Sequence, residues 1–284
     1  MKSIKGLEAL VYRIQDARYR INHASWIEYI AACFLAIVAT FILLGLPGST
    51  AKAQGDEIPF DVSNIFLELN DTDGDLGIHA LIDGEPWRML QIEDPNERQI
   101  LSVENKGRLG RQGLTELFFE SAEPPFDELP PEKFFQRFPE GKYEISGITL
   151  EGEELESTDR LKHIIPAPPD NILISGEAAA DDCDADPLPS VGEPIVIEWD
   201  PVTLSHPEIG TPKSSPRINI VGYQVVVERE EPNLLKFTLD LPPDVTMVVV
   251  PEGLFASGDD LKLEVLVREE SGNQTAVETC FVME

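Results

Sequence analysis

The sequence predicts an all-β fold, built as two tandem β-sandwich domains behind one N-terminal hydrophobic helix. Three observations carry that expectation. Apolar and polar residues alternate with period two through most of 57–284. Gly, Pro, Asp and Asn interrupt these runs at short intervals, as turns between short strands require. An uncharged apolar run of membrane-spanning length lies ahead of them, at 29–46.

Tyr29–Leu46 is eighteen residues long and carries no charge. Lys2, Lys5, Arg13, Arg18 and Arg20 precede it, which by the positive-inside rule leaves the N-terminus in the cytoplasm. Pro47 and Gly48 break the helix, and Ala51-Lys52-Ala53 then has the small-x-small form of a cleavage site, between Ala53 and Gln54. The long region before the apolar run leaves a retained anchor as the alternative to a cleaved signal. Either way, residues 54–284 are expected outside the cytoplasm: periplasmic, secreted, or anchored facing outward. Membrane contact is then confined to 29–46, if that run is kept.

Charge separates the leader from the rest. The chain holds 22 basic and 52 acidic residues. Residues 1–53 account for six basic and three acidic ones, leaving 16 against 49 over 54–284, a formal charge of −33. Such a surface repels nucleic acid and anionic headgroups, so no nucleic-acid partner is expected. Solubility in a saline medium is the plain reading.

Residues 57–166 are expected to form the first sandwich-like domain. Ile65/Leu67/Leu69, Ile78/Ala80/Ile82 and Leu90/Ile92 alternate with other residues. Ile100–Val103, Leu114–Phe119 and Tyr143–Ile148 are further strand candidates. Asp83-Gly84 between two such runs predicts a hairpin. Pro130-Pro131 opens a short helix that ends before Pro139 and packs Phe134, Phe135 and Phe138 on a sheet edge. Pro166-Ala167-Pro168-Pro169 reads as a stiff joint, and 167–190 as a linker or edge segment.

Residues 191–284 carry clearer alternation. Ile195/Ile197/Trp199, Tyr223/Val225/Val227, Leu235/Phe237/Leu239/Leu241, Thr246–Val250 and Leu261/Leu263/Val265/Val267 are strand candidates, and Val277/Thr279/Phe281 closes the set. The parity change between Ile220 and Tyr223 predicts a bulge at Gly222. With Val277 and Phe281 inward, Cys280 points outward, within reach of a segment laid against the last strand from before the first. Cys183 lies in that segment, so in an oxidising compartment Cys183 and Cys280 can pair. Two unrelated thiols are the alternative. Cys33 sits inside the apolar run.

Residues from about 190 to 284 resemble a fibronectin type III domain. Ile197-Glu198-Trp199-Asp200-Pro201-Val202 resembles its second strand with the core tryptophan, and Val221-Gly222-Tyr223-Gln224-Val225 its third. Leu254–Val267 resembles the stretch through the sixth strand, and Ser271-Gly272-Asn273-Gln274 the turn before the last. The family's corner tyrosine has no obvious counterpart, since Leu261 or Leu263 takes its place. The chain as a whole resembles uncharacterised exported bacterial proteins with one such module after an N-terminal β region. There, Phe138–Tyr143 and Leu150-Glu151-Gly152 resemble the closing hairpin of an Ig-like sandwich. The resemblance implies a spacer or binding module and assigns no ligand.

Candidate chemistry is sparse. Asp71, Asp73 and Asp75 alternate as calcium-loop carboxylates do, and Ca²⁺ is the one cofactor they suggest. Glycine stands one position early for an EF-hand loop, and an acidic turn accounts for the same residues. Trp87, after Glu85-Pro86, reads as a sugar-stacking platform or as a core residue. His79, His163 and His206 match no metal spacing, and no G-x-S-x-G or phosphate loop occurs. With 49 acidic residues in the exported part, close carboxylate pairs arise by chance and do not point to a glycosidase. Asn70-Asp71-Thr72 and Asn273-Gln274-Thr275 fit the glycosylation pattern, relevant only in a eukaryotic secretory pathway.

The expectation is therefore a non-enzymatic exported binding or structural protein, whose partner is an unknown extracytoplasmic protein or glycan. The alternatives are a carbohydrate- or Ca²⁺-binding accessory module using Trp87 and the Asp71–Asp75 loop, and an unrecognised secreted hydrolase.

Overall fold

A computed structural model describes residues 57–284. The leader, with its apolar run at 29–46 and the cleavage site at Ala53 and Gln54, lies outside the described residues. Among the described residues no helix is long and apolar enough to cross a membrane.

The strands run in the order β1 (Val62–Asn70), β2 (Asp75–Glu93), β3 (Gln99–Glu104), β4 (Leu114–Glu120), β5 (Gly141–Thr149) and β6 (Glu154–Leu161), then β7 (Leu173–Ile174), β8 (Glu177–Ala178), β9 (Ser190–Val191), β10 (Val196–Glu198), β11 (Ile220–Arg229), β12 (Leu235–Leu241), β13 (Met247–Val249), β14 (Asp260–Glu269) and β15 (Gln274–Met283). Two short helices, α1 (Leu109–Gln112) and α2 (Pro131–Arg137), interrupt the first half. α2 starts on Pro130–Pro131, and buries Phe134, because a first-turn proline gives up only an N–H that has no partner in the helix.

β2 organises the first half. It is a single strand of 19 residues. Its first part pairs with β1 on one side and β4 on the other, and its second part pairs with β3 and β5. The expected hairpin at Asp83-Gly84 does not form: β2 continues through both residues without a turn. Both sides of Asp83 already have strand partners in Val62 and Glu116, and register shifts between Asp83 and Met89 bend the strand in place of a turn. Gly84 is needed for closeness, since a Cβ there would stand 3.1 Å from Phe60. Around this bent strand, Ile65, Leu67, Leu69, Ile78, Ile82, Trp87, Leu90, Ile92, Tyr143 and Leu155 form one core.

The second half is two-layered. One layer is ordered β13-β10-β7-β8, and the other carries β12-β11-β14-β15. Ile174, Ile197 and Val248 meet Val225, Leu263, Val265 and Phe281 between the layers. The register of β11 slips between Ile220 and Gly222, where the parity change predicts a bulge. Trp199 is buried beside Tyr223, their rings 5.3 Å apart, and the Tyr223 hydroxyl accepts the Val202 N–H at 2.9 Å.

The two halves are not beads on a stiff joint. β1 pairs in parallel with β15, Glu68 opposite Gln274 through Asn70 opposite Ala276. This seam makes one sheet of eleven strands across both halves. The segment expected as a linker or edge segment contributes edge strands to the second half: β7 and β8 extend the smaller layer, and β9 pairs with β15. Pro166 and Ala167 are tied to Ser205 and Leu204 by backbone pairing. The reason is that Ile172 and Ile174 are apolar enough to be drawn into the core, although the prolines around them read as spacer.

Candidate functional site

Opposite residues on paired strands point to the same face of a sheet. Leu67, Leu69, Thr275 and Val277 therefore put both cores on one face of the shared sheet. The other face is concave and mixed in character, with Phe66, Phe118 and Leu266 among its polar residues. Glu68 (β1), His79 (β2), Glu120 (β4), Glu264 (β14) and Gln274 (β15) line a groove of about 790 Å³ there.

His79 is the centre of this face and is only 3% exposed. It stands opposite Phe66 on β1 and Glu120 on β4. The rings of Phe66 and Phe118 lie 5.2 and 6.1 Å from its own. Its Nε2 is 3.0 Å from Glu123 Oε1, and its Nδ1 is 3.8 Å from Glu68 Oε2. Glu68 in turn accepts a hydrogen bond from the Gln274 amide across the seam. Glu123 reaches the imidazole because residue 77 is glycine. A Cβ there would lie 1.8 Å from Glu123 Oε1.

The electrostatics follow from burying acids together. Burial raises the Glu68 pKa above the ordinary carboxylate value; His79 and the Gln274 bond oppose this, and Glu123 and Glu120 reinforce it. Burial disfavours a charged His79, but the Glu123 hydrogen bond and the charges of Glu68, Glu123 and Glu120 outweigh it and raise its pKa. Glu264 is pushed up to about 7 by burial and by Glu68 and Glu278. Asp75 is pushed up to about 6 by burial and by neighbouring carboxylates. This face holds protons more tightly than free carboxylates do.

The three aspartates of the expected calcium loop have different surroundings. Asp71 Oδ1 is held by His206 Nε2 at 2.9 Å. Asp73 accepts from the Asn70 amide at 3.1 Å. Asp75 opens β2, and its Oδ1 is buried without a hydrogen bond. Asn70 Oδ1 caps the turn through the N–H groups of Thr72 and Asp73, as in an Asx turn. Trp87 is wholly buried and offers no platform to a sugar. Cys183 and Cys280 are joined in a disulfide, with Cα atoms 4.7 Å apart. They border a second concavity of about 1110 Å³ whose lining includes Asp182, Asp184, Glu230 and Asp260.

Sequence reasoning set His79 aside because it matches no metal spacing, and it did not single out Glu120 or Glu123. Among the described residues, these form the one group of histidine, cysteine or acidic side chains whose ligand atoms converge within 4.8 Å. The readable signal was parity: His79 lies between Ile78 and Ala80, so it had to face away from the core.

No family model and no curated protein matches this chain. Solved structures similar to it include the FN1–FN3 domains of chicken CNTN1, at 8% identity and a TM-score of 0.31 over 80% of this chain. A two-domain fibronectin type III segment of chicken tenascin is similar at 11% identity and a TM-score of 0.28, covering 78% of this chain and 99% of that one. A tetra-tandem repeat from the extending region of a large adhesion protein is similar at 8% identity and a TM-score of 0.25, with coverage of 78% and 50%. This chain spans 65% of the length of the CNTN1 fragment.

Proposed function

We propose that residues 57–284 serve, outside the cytoplasm, as a non-enzymatic binding or structural module with a fibronectin type III-like second half. The carrying observation is the β1–β15 seam, which fuses two cores into one sheet and leaves its concave second face, with acidic and aromatic side chains, outside both cores. A scaffold that holds one face still is suited to presenting it to a partner. The strand neighbours support the type III reading: β13-β10-β7, with β8 added at its edge, packs against β12-β11-β14-β15, the strand order of that sandwich. The Cys183–Cys280 disulfide suits an oxidising compartment, in keeping with the leader pattern ahead of it. The partner is an extracytoplasmic protein or glycan.

Fractionation of cells expressing the full chain, with N-terminal sequencing and thiol labelling, tests the location. Recovery outside the cytoplasm with Cys183 and Cys280 protected is expected, and a cytosolic chain with both thiols free overturns it. A panel of hydrolase substrates tests the non-enzymatic reading. No turnover is expected, and turnover by the purified chain sinks it.

A further inference from the structure

We propose that His79, Glu120 and Glu123 form a binding site for a divalent first-row transition metal ion, of the Zn²⁺ class.

The argument rests on how the three ligands are held. Their ligand atoms lie within 4.8 Å of one another. His79 Nε2 and Glu123 Oε1 are 3.0 Å apart. Two ligands sharing a tetrahedral zinc at bond lengths of about 2.0–2.1 Å stand about 3.3 Å apart, so the observed spacing needs little change to admit the ion. The second ring nitrogen fits the same reading. Ligating histidines characteristically direct their other nitrogen at a carboxylate, which sets the tautomer and the ring orientation. His79 Nδ1 has the Glu68 carboxylate on its side at 3.8 Å, an ion-pair distance too long for a hydrogen bond, and Gln274 holds Glu68 from across the seam. Gly77 supplies an independent sign of a built site. Its missing side chain is the space in which the Glu123 carboxylate lies to reach the imidazole.

Chemistry selects the ion. Ca²⁺ and Mg²⁺ take oxygen ligands, whereas an imidazole with two carboxylates suits Zn²⁺ and its neighbours. Three protein ligands leave one position of a tetrahedron. Glu120 is exposed and lines the groove, so that position opens toward the face proposed above to meet a partner. Water, or a donor atom from the partner, completes the shell. Binding of the ion stands on its own geometry and does not depend on that partner.

Calorimetric titration of the full chain with Zn²⁺, in detergent if residues 29–46 are retained, measures the site. One Zn²⁺ per chain in the micromolar range is expected, undisplaced by millimolar Ca²⁺. The His79 imidazole resonances should shift on Zn²⁺ addition, which distinguishes this site from ions gathered by the acidic surface. Glu123→Gln should weaken binding about tenfold or more. Gly77→Ala, which keeps every ligand and displaces Glu123, should also weaken it, and Asp73→Asn should not. The proposal is overturned if Zn²⁺ binds without moving the His79 resonances, or if the affinity of Glu123→Gln equals that of the parent chain. Circular dichroism of each variant confirms that lost binding is not lost folding.

Discussion

Asn273 Oδ1 accepts the backbone N–H of Leu67 at 2.8 Å, across 206 residues of sequence. The same side chain gives both amide protons to backbone carbonyls, of Lys162 and of Ile164, each at 2.8 Å. One asparagine in the β14–β15 turn thus grips the first strand and the chain segment leaving the first half. Thr275 continues the clasp, its hydroxyl bonding Pro166 O at 2.7 Å. Asn273 is fully buried; its bond to Leu67 is buried and those to the two carbonyls are part-buried.

Asn273→Ala should therefore be costly. It leaves a buried N–H and two carbonyls without their partner, at about 1–3 kcal/mol for such groups, not fully additive. We expect a loss of about 3 kcal/mol in urea unfolding. Asn273→Asp should be no better, because it keeps the acceptor for Leu67 and sets a carboxylate against two carbonyls. Stability of either variant within about 0.5 kcal/mol of the parent, the range of a neutral surface change, would contradict the clasp. The burial also means that a chain secreted from a eukaryotic host should carry no glycan at Asn273, as mass spectrometry of the peptide can establish.

The seam predicts cooperativity between the halves. Glu68–Gln274, Thr72–Glu278 and the Asn273 clasp all cross it. In hydrogen exchange, the slowest amides of β2 in the first core and of β14 in the second should open with a common free energy, as members of one cooperative unit do. In Asn273→Ala the two values should separate. Parent values that already differ by more than about 2 kcal/mol would show that the halves unfold independently.

The disulfide should stabilise the second half by holding the acidic segment 178–191 along β15. Besides the covalent bond, that segment is joined by the Thr279 hydroxyl to Ala180 O at 2.8 Å and by β9. The cysteines are 97 residues apart. Closing a loop of that size is worth about 4.7 kcal/mol in the chain-entropy account. Cys183→Ser with Cys280→Ser should lower unfolding stability by about that amount, and reductant should do so in the parent alone. Equal stability of parent and double variant under oxidising conditions would remove the role.

Much of the fold was legible because period two is a local property. Leu261/Leu263/Val265/Val267 marks β14 by itself, and proline at either end marks α2. The partner of each strand was not legible. The β1–β15 pair joins residues about two hundred positions apart, and no local pattern encodes a parallel neighbour. Asp83-Gly84 misled because turn propensity is a weak preference, and strand partners on both sides of Asp83 outweigh it. The metal-ligand group was invisible for a related reason. His79 and Glu120 meet only through the β2–β4 register, and Glu123 arrives from the loop after β4, over a glycine whose use becomes plain only with the carboxylate in place.

The concave face also predicts how stability changes with pH. Glu264 projects from β14 among Glu68 of β1, Glu278 of β15, Lys262 of its own strand and Lys236 of β12, and its pKa is about 7 against an ordinary 4.5. Folding raises it, so the folded state binds the proton more tightly than the unfolded chain does. Its contribution is then complete below pH 4.5 and is lost as pH rises through about 7. Asp75, raised from 3.8 to about 6, acts in the same direction over a slightly lower range. Glu264→Gln keeps the shape and removes the charge. Allowing for partial solvent screening, it should exceed the parent in stability by about 2 kcal/mol at pH 8 and match it near pH 4.5. Urea unfolding across this range is the measurement. A Glu264→Gln chain that is no more stable than the parent at pH 8 would mean that the carboxylate is ionised in the fold at little cost, through Lys262 and Lys236, and that the proton affinity of this face resides in Asp75 and Glu68 instead.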